Sequence, residues 1–222
     1  MSELDYSKVE AEIVDWLQEK VEEAGRKGGI IGLSGGIDSS VTAVLCKKAF
    51  PDNTLGIILP CESNPEDEKD ARKIADLFNI EYMNRDLTPV LHKFMEIMAG
   101  SPKYEEDMAV ANMKPRLRMI ALYYFAAHRD YLVIGTDNWS ELTVGYFTKY
   151  GDGGVDLAPL GRLVKTEVRE LARYLEIPSS IINKPPSAGL WEGQTDEAEM
   201  GISYEILDKY IYLDMMKYKV KQ

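Results

Sequence analysis

The chain is poor in cysteine, in histidine and in positive charge, and each shortage excludes a class of protein. Two cysteines in 222 residues, Cys46 and Cys61, cannot build a disulfide framework, and their spacing is not that of a CxxC zinc site. The two histidines, His92 and His128, fall on predicted helices without a carboxylate or cysteine at metal-ligand spacing, so both read as structural. Lys and Arg total 26 against 37 Asp and Glu, a formal net charge of −11, which suits no nucleic-acid partner. No apolar run reaches the length of a membrane span, and the opening MSELDYSKVE lacks the basic-then-apolar order of a signal peptide. The expectation is a soluble, cytoplasmic chain with no membrane contact. Two phosphate-binding signatures are also missing. No Gly-Lys pair occurs, which removes a Walker loop, and no G-x-G-x-x-G occurs, which removes a Rossmann dinucleotide fingerprint.

What is present is a hydrophobic fraction of 45%, ample for a core, and a length that suits one domain over 1–222. Ser7-Lys8-Val9-Glu10 has the form of a capping box, followed by Val9, Ile13, Leu17 and Val21 at helical spacing and by Gly28-Gly29 as an expected stop. Short apolar runs at Ile30 to Leu33, Thr54 to Pro60, Ile80 to Met83 and Tyr131 to Thr136 read as strands. Helical segments alternate with them: Ser39 to Ala49, one opening at Pro65, Val90 to Met98 and Met113 to Ala127. The last is apolar on nearly every side, so it should be buried in the core or in a subunit interface; Met95 and Met98 read as core filler. Gly100 to Asp107 reads as a polar loop. This alternation predicts an α/β fold, an open and mostly parallel sheet with helices on both faces. Ligands of such sheets bind where strand order reverses. The two strand ends with unusual chemistry, Leu33 leading into SGGIDSS and Gly135 leading into TDNWSE, are candidates for one shared site.

In the stretch IIGLSGGIDSS (Ile30 to Ser40), glycines let backbone amides crowd an anion, Ser34, Ser39 and Ser40 add hydroxyls, and the following helix supplies positive potential. Asp38 would repel phosphates unless a hard cation such as Mg²⁺ stood between them. SGGIDSS resembles the pyrophosphate loop of the N-type ATP pyrophosphatases, which adenylate a substrate with ATP. The block GTDNWSELTVGYFTKYGDGGVDLAPLGRLVKTEVRELARYLEIP (Gly135 to Pro178) closely resembles the central block of NAD synthetases. NMKPRLRM and PPSAGLWEGQTDEAEMGISYEILD resemble its flanking blocks.

The resemblance implies an adenine nucleotide alpha hydrolase-like, Rossmann-like layered fold and ATP-dependent amidation of deamido-NAD by ammonia through an acyl-adenylate. It implies that Gly32, Leu33, Ser34, Gly35, Gly36, Ile37, Asp38 and Ser39 hold the pyrophosphate of ATP, with Thr136, Lys165 and Ser187 as further ATP contacts. It implies Asp38 and Glu141 as Mg²⁺ ligands, Arg116, Lys149 and Asp156 as deamido-NAD contacts, and a homodimer. Asp152, in the GDGG loop, reads on its residues either as a group that helps deprotonate ammonium or, at least as well, as a loop-capping aspartate. The C-terminal MMKYKVKQ departs from the family pattern: Tyr218-Lys219 stands where the family has a His-Lys pair, which carries over Lys219 alone as a substrate contact. No residues remain for a glutaminase domain, so free ammonia is the expected donor. Taken singly, Glu141 could be a charge at a helix N-terminus, Lys165 a C-terminal surface lysine and Arg116 half of a surface ion pair. Two other readings stay open: a pyrophosphatase acting on tRNA, and a nucleotide-binding module without turnover.

Overall fold

The computed structural model describes residues 4–100, 107–191 and 193–219, without the side chains of 214–219. Most of the expected loop from Gly100 to Asp107 therefore lies outside the described residues. In chain order the elements are α1 (Tyr6–Glu23), β1 (Gly28–Gly32), α2 (Ile37–Ala49), β2 (Thr54–Ile58), α3 (Pro65–Leu77), β3 (Glu81–Asn84), α4 (Thr88–Ala99), α5 (Met108–Ala111), α6 (Met113–Arg129) and β4 (Tyr131–Ile134). Five helices follow: α7 (Trp139–Val144), α8 (Lys165–Tyr174), α9 (Ser179–Ile182), α10 (Asp196–Met200) and α11 (Tyr204–Lys219). None of the described helices is long and apolar enough to cross a membrane.

The four strands pair in the order β3-β2-β1-β4, all parallel. Ile30 and Ile31 show how the sheet is sealed on both sides. Ile30 points with Leu55, Ile57 and Val133 toward α6, whereas Ile31 and Ile134 point into the cluster built by α1, α2 and α8. Leu33, Ile58 and Ile80 extend that second face toward Ala71 and Ala75 of α3. Continuous apolar runs in the strands are thus a consequence of double coverage. Strand order reverses at β1, with β2 on one side and β4 on the other, and Ile31 is level with Ile134. The loops leaving these two strands share one crevice.

Local details correct the sequence reading in four places. Asp5, not Ser7, caps α1, its carboxylate accepting from the amides of Ser7 and Lys8. Gly28 and Gly29 lie inside β1 rather than ending α1. A Cβ on Gly28 would meet the Asn53 carbonyl oxygen at 2.0 Å and one on Gly29 the Cys46 sulfur at 2.6 Å, so close neighbours account for this pair. Helix α6 is not buried on every side: Ile120 and Tyr124 are 58% and 59% exposed, while the charged Lys114 is buried. Met98 is 61% exposed, so it fills no core in this chain, whereas Met95 packs against Leu91 and Leu117. Pro65 opens α3 as expected, and the Asn64 side chain, not singled out in the sequence, caps it by accepting from the Glu66 amide at 3.0 Å. His128 bonds within α6 to the Tyr124 carbonyl, and His92 bonds to Glu62, which fits the structural reading of both.

Candidate active site

Helix α2 begins at the reversal point of the sheet, and its N-cap is Gly36, which has no side chain to satisfy the first-turn amides. The serines instead brace the loop's own backbone. Ser39 and Ser40 hydroxyls donate to the Gly36 carbonyl at 3.1 and 2.7 Å, and Ser34 Oγ lies 2.9 Å from Ser39 Oγ and accepts from the Gly36 amide. Gly35 has φ +77°, and a Cβ there would meet the Asp67 carbonyl oxygen at 2.2 Å, so the loop is seated on the first turn of α3. This bare, amide-rich turn at the start of a 13-residue helix can receive an anion. The side chains of Leu33 and Ile37 are buried in the core, and the Leu33 amide donates to Ile57 in the sheet, so these two residues form the loop's footing.

Asp38, the second residue of α2, aims its carboxylate across the crevice. Its Oδ1 accepts from Asn138 Nδ2 at 3.0 Å and its Oδ2 from Lys165 Nζ at 2.5 Å. Lys165 Nζ also donates to Glu141 Oε1 at 3.0 Å. Glu141 is held by a reciprocal cap on α7: its Oε2 accepts from the Asn138 amide and its own amide donates to Asn138 Oδ1, both at 3.1 Å. Glu141 thus does sit at a helix N-terminus, as a reciprocal cap, and the ion pair coexists with it. Lys165 is no surface lysine. It is 2% exposed and opens α8, the helix end at which a cation is disfavoured. Burial acts against its charge, but Asp38 and Glu141 outweigh burial and keep the ammonium protonated well above the ordinary lysine value. Glu141 is pushed up to about 7, first by burial and further by Asp38, against the opposing pull of Lys165. Two carboxylates sharing one ammonium leave the cluster short of positive charge. Asp137, beside it, is pushed up to about 8 by burial and by the charges of Asp152, Glu141 and Asp38.

The other expected contacts form a second group along α6 and the loop after α7. Arg116 Nε donates to the Lys149 carbonyl at 3.3 Å, and the exposed Lys149 ammonium lies 5.0 Å from the centre of the Tyr150 ring. Asp156 accepts from Tyr123 Oη at 3.0 Å and from the Val133 amide at 2.8 Å, which ties this loop to β4. Asp152 faces solvent yet is closely flanked by protein. Burial raises its carboxyl from the ordinary aspartate value, opposed by the Thr148 amide, which donates to it at 2.9 Å. Thr136 is half-buried just past β4. Ser187 is exposed, and its hydroxyl accepts from the Gly189 amide in its own turn, so it is not joined to the cluster. Lys219 lies at the end of α11, and its side chain is outside the described residues.

Sequence reasoning passed over several residues of this site. Asn138 was visible as the N-x-x-E partner of Glu141, a capping signal in the sequence itself. Asp137 sits beside it in the same TDNWSE stretch. Ser140 lies in that stretch too, and Asp196, Tyr204 and Asp208 lie in the flanking block PPSAGLWEGQTDEAEMGISYEILD, but their roles arise from tertiary contacts with distant segments that no spacing displays.

Comparison with known proteins agrees with this geometry. The family model for NAD synthase matches residues 9–222. The NH(3)-dependent NAD(+) synthetase of Carboxydothermus hydrogenoformans is 56% identical over 200 residues, covering 90% of this chain and 82% of its own. That of Finegoldia magna is 48% identical over 226 residues, covering 99% and 92%. Among solved structures, NMN synthetase from Francisella tularensis superposes with a TM-score of 0.89 at 38% identity, covering 94% of this chain and 87% of its own. NH3-dependent NAD synthetase from Campylobacter jejuni does so at 0.76 and 35%, covering 82% and 78%. With a family match over nearly its whole length and a charged crevice at the sheet's reversal point, the chain belongs to the NAD synthase family.

Proposed function

We propose that the chain is an ammonia-dependent NAD synthetase, a ligase that adenylates the nicotinate carboxylate of deamido-NAD with ATP and then exchanges AMP for ammonia. The observation that carries this reading is the Asp38–Glu141–Lys165 cluster beside the uncapped start of α2, in a chain of this family. The pyrophosphate of ATP lies against Gly32 to Ser39, where the first-turn amides and Ser34 receive its oxygens. Asp38 and Glu141 are the residues that would hold Mg²⁺. Among the described residues no three His, Cys, Asp or Glu side chains gather to hold a metal alone, so two carboxylates suit a hard ion whose remaining ligands are phosphate oxygens and water. Bound there, the ion offsets the charge of the phosphates.

Lys165, released from one of its two carboxylates, turns its ammonium toward the nucleotide phosphates. Thr136 and Ser187 complete the ATP contacts. In the first step a nicotinate oxygen attacks the α-phosphorus and pyrophosphate leaves. In the second, ammonia attacks the carbonyl carbon and AMP leaves, and Asp152 takes the proton that ammonium must lose. Arg116, Lys149 and Lys219 hold the dinucleotide's charge. Asp156, engaged by Tyr123 and Val133, orients the loop that carries Lys149. Positioning and charge compensation supply most of the rate.

Residues 1–222 act in this reading as one synthetase domain without a glutaminase. Both cysteines are buried, and burial pushes Cys46 up to about 12, so neither is an activated nucleophile for cleaving an amide. Free thiols fit the cytoplasmic setting. The exposed Ile120 and Tyr124 on α6, with Ile97 and Met98 on α4, support a homodimer through that face. Sedimentation at micromolar concentration should give a dimer, and an Ile120→Asp/Tyr124→Asp variant a monomer. A tRNA substrate is disfavoured by the −11 charge.

The likeness to an NMN synthetase names one rival acceptor, the deamido mononucleotide. The deciding assay is pyrophosphate release with ATP and Mg²⁺, comparing deamido-NAD with nicotinate mononucleotide under ammonium, under glutamine and with neither. Release and amide formation with deamido-NAD under ammonium alone is the expected result. Preference for the mononucleotide would replace the acceptor, and no acceptor-dependent release would sink the proposal.

A further inference from the structure

Helix α11 contributes Lys219 alone to the expected site, yet two of its first residues reach the Asp38–Glu141–Lys165 cluster from behind. Tyr204 is fully buried. Its Oη lies 3.2 Å from Glu141 Oε1 and 3.0 Å from Asp196 Oδ2, and the face of its ring lies 4.9 Å from Lys165 Nζ. A buried ring beneath an ammonium holds that cation without competing for the carboxylates that the ammonium bridges.

Asp208, one turn on, is also buried. Its Oδ1 accepts from Ser140 Oγ at 2.5 Å and its Oδ2 from the Thr166 amide at 2.8 Å, while Ser140 Oγ accepts from the Lys165 amide at 2.9 Å. One carboxylate therefore ties the first turn of α7, which carries Glu141, to the first turn of α8, which carries Lys165. Its negative charge lies at the N-terminus of α8, where a helix favours it.

A second strand of bonding leaves the same phenol. Asp196 opens α10, directly after the segment that holds Ser187, and accepts from Tyr146 Oη at 3.2 Å. Tyr204 has a single proton for two carboxylates, so the set of Glu141 is shared with that of Asp196. Glu141 is thus held from three sides: by the Asn138 cap, by Lys165 and by Tyr204. These are contacts to residues already in the site, and neither Tyr204 nor Asp208 is needed to touch a substrate.

We propose that Tyr204 and Asp208 are positioning residues that hold Glu141 and Lys165 in the geometry in which the cluster accepts a divalent cation with nucleotide. The proposal rests on the reading of Asp38 and Glu141 as cation ligands. Partners of this kind set ligand orientation, and their removal typically costs about 10–100-fold in metal affinity.

The test is direct binding of Mn²⁺, followed by electron paramagnetic resonance of the free ion, to the full chain with a non-cleavable ATP analogue. Tyr204→Phe, which keeps the ring and removes Oη, should raise the Mn²⁺ Kd about tenfold, with a fall in kcat at saturating Mg²⁺ that exceeds any rise in the KM for ATP. Asp208→Asn should do the same through the α7–α8 tie, and it carries the test if Tyr204→Phe does not fold. Tyr210→Phe, on the exposed side of the same helix, is the control and should bind as the wild type does. A folded Tyr204→Phe or Asp208→Asn with wild-type Mn²⁺ affinity overturns the proposal, even where its melting temperature falls. Mn²⁺ binding that responds as expected, without amidation of any deamido substrate, would overturn the functional reading and leave the positioning role standing.

Discussion

Replacing Lys165 by methionine removes one charge from a buried group of three and leaves Asp38 and Glu141 facing each other. At 2.5 and 3.0 Å, with an effective dielectric near 20, each lost attraction is worth about 5–7 kcal/mol before desolvation is counted. Most of that is offset by the cost of burying the ions, so the expected net destabilisation is about 3–5 kcal/mol. The penalty depends on pH because a carboxyl can escape it by taking a proton. Glu141, already near 7 beside the ammonium, is pushed higher without it, whereas in the unfolded chain it titrates at the ordinary value. The folded variant then binds more protons than the unfolded one, so its stability falls as pH rises through and beyond 7. Lys165 itself, raised above the ordinary lysine value, keeps its full contribution across that range and loses it only in strong alkali. Urea unfolding of wild type and Lys165→Met at pH 6 and pH 8.5, both in EDTA, should show a gap that widens at the higher pH. Added Mg²⁺ should narrow it. A gap below about 1 kcal/mol at pH 8.5, or one that shrinks with rising pH, would refute the reasoning.

Gly35→Ala puts a Cβ at φ +77° and 2.2 Å from the Asp67 carbonyl, so the loop must shift off α3. A loss of about 1–3 kcal/mol in stability and a KM for ATP raised at least tenfold are expected, read by urea unfolding and initial rates. Asp137, pushed up to about 8, binds a proton in the folded chain across a range where the unfolded chain does not. Without divalent cations it should lower stability by at most about 1.4 kcal/mol per unit as pH rises from 4 to 8. Asp137→Asn should flatten that slope in thermal melts, and an unchanged slope would remove Asp137 as its cause.

The parallel sheet was legible because its strands are short, three of them apolar on both faces, and separated by helices with a Pro65 start and a loop marked by glycine and serine. The shared crevice was legible from two strand ends, since Leu33 leads into a bare glycine-serine turn with a carboxylate inside it and Gly135 into TDNWSE, which carries two more. What escaped was whatever depended on distance in space. The Gly28-Gly29 pair resembles a helix stop in one dimension, and only the Asn53 carbonyl and the Cys46 sulfur show why it is a strand. Helix α6 read as covered on nearly every side because composition cannot tell the face that meets the sheet from the Ile120–Tyr124 face that the single chain leaves open. Tyr204 and Asp208 lie far along the chain from Glu141, in an amphipathic helix like any other. Asp156 and Ser187 show a different limit. Asp156 bonds to Tyr123 and Val133, 33 and 23 residues away, and Ser187 to Gly189 in its own turn, ties that no motif displays.

The reciprocal cap between Asn138 and Glu141 has a bearing on how loss of function at Glu141 is diagnosed. One side chain serves as charge and as hinge pin, so deleting it with alanine confounds chemistry with the fraying of α7. Glutamine is competent in such a cap and carries no charge. Only the glutamine variant separates an inactive but intact crevice from one that has come undone.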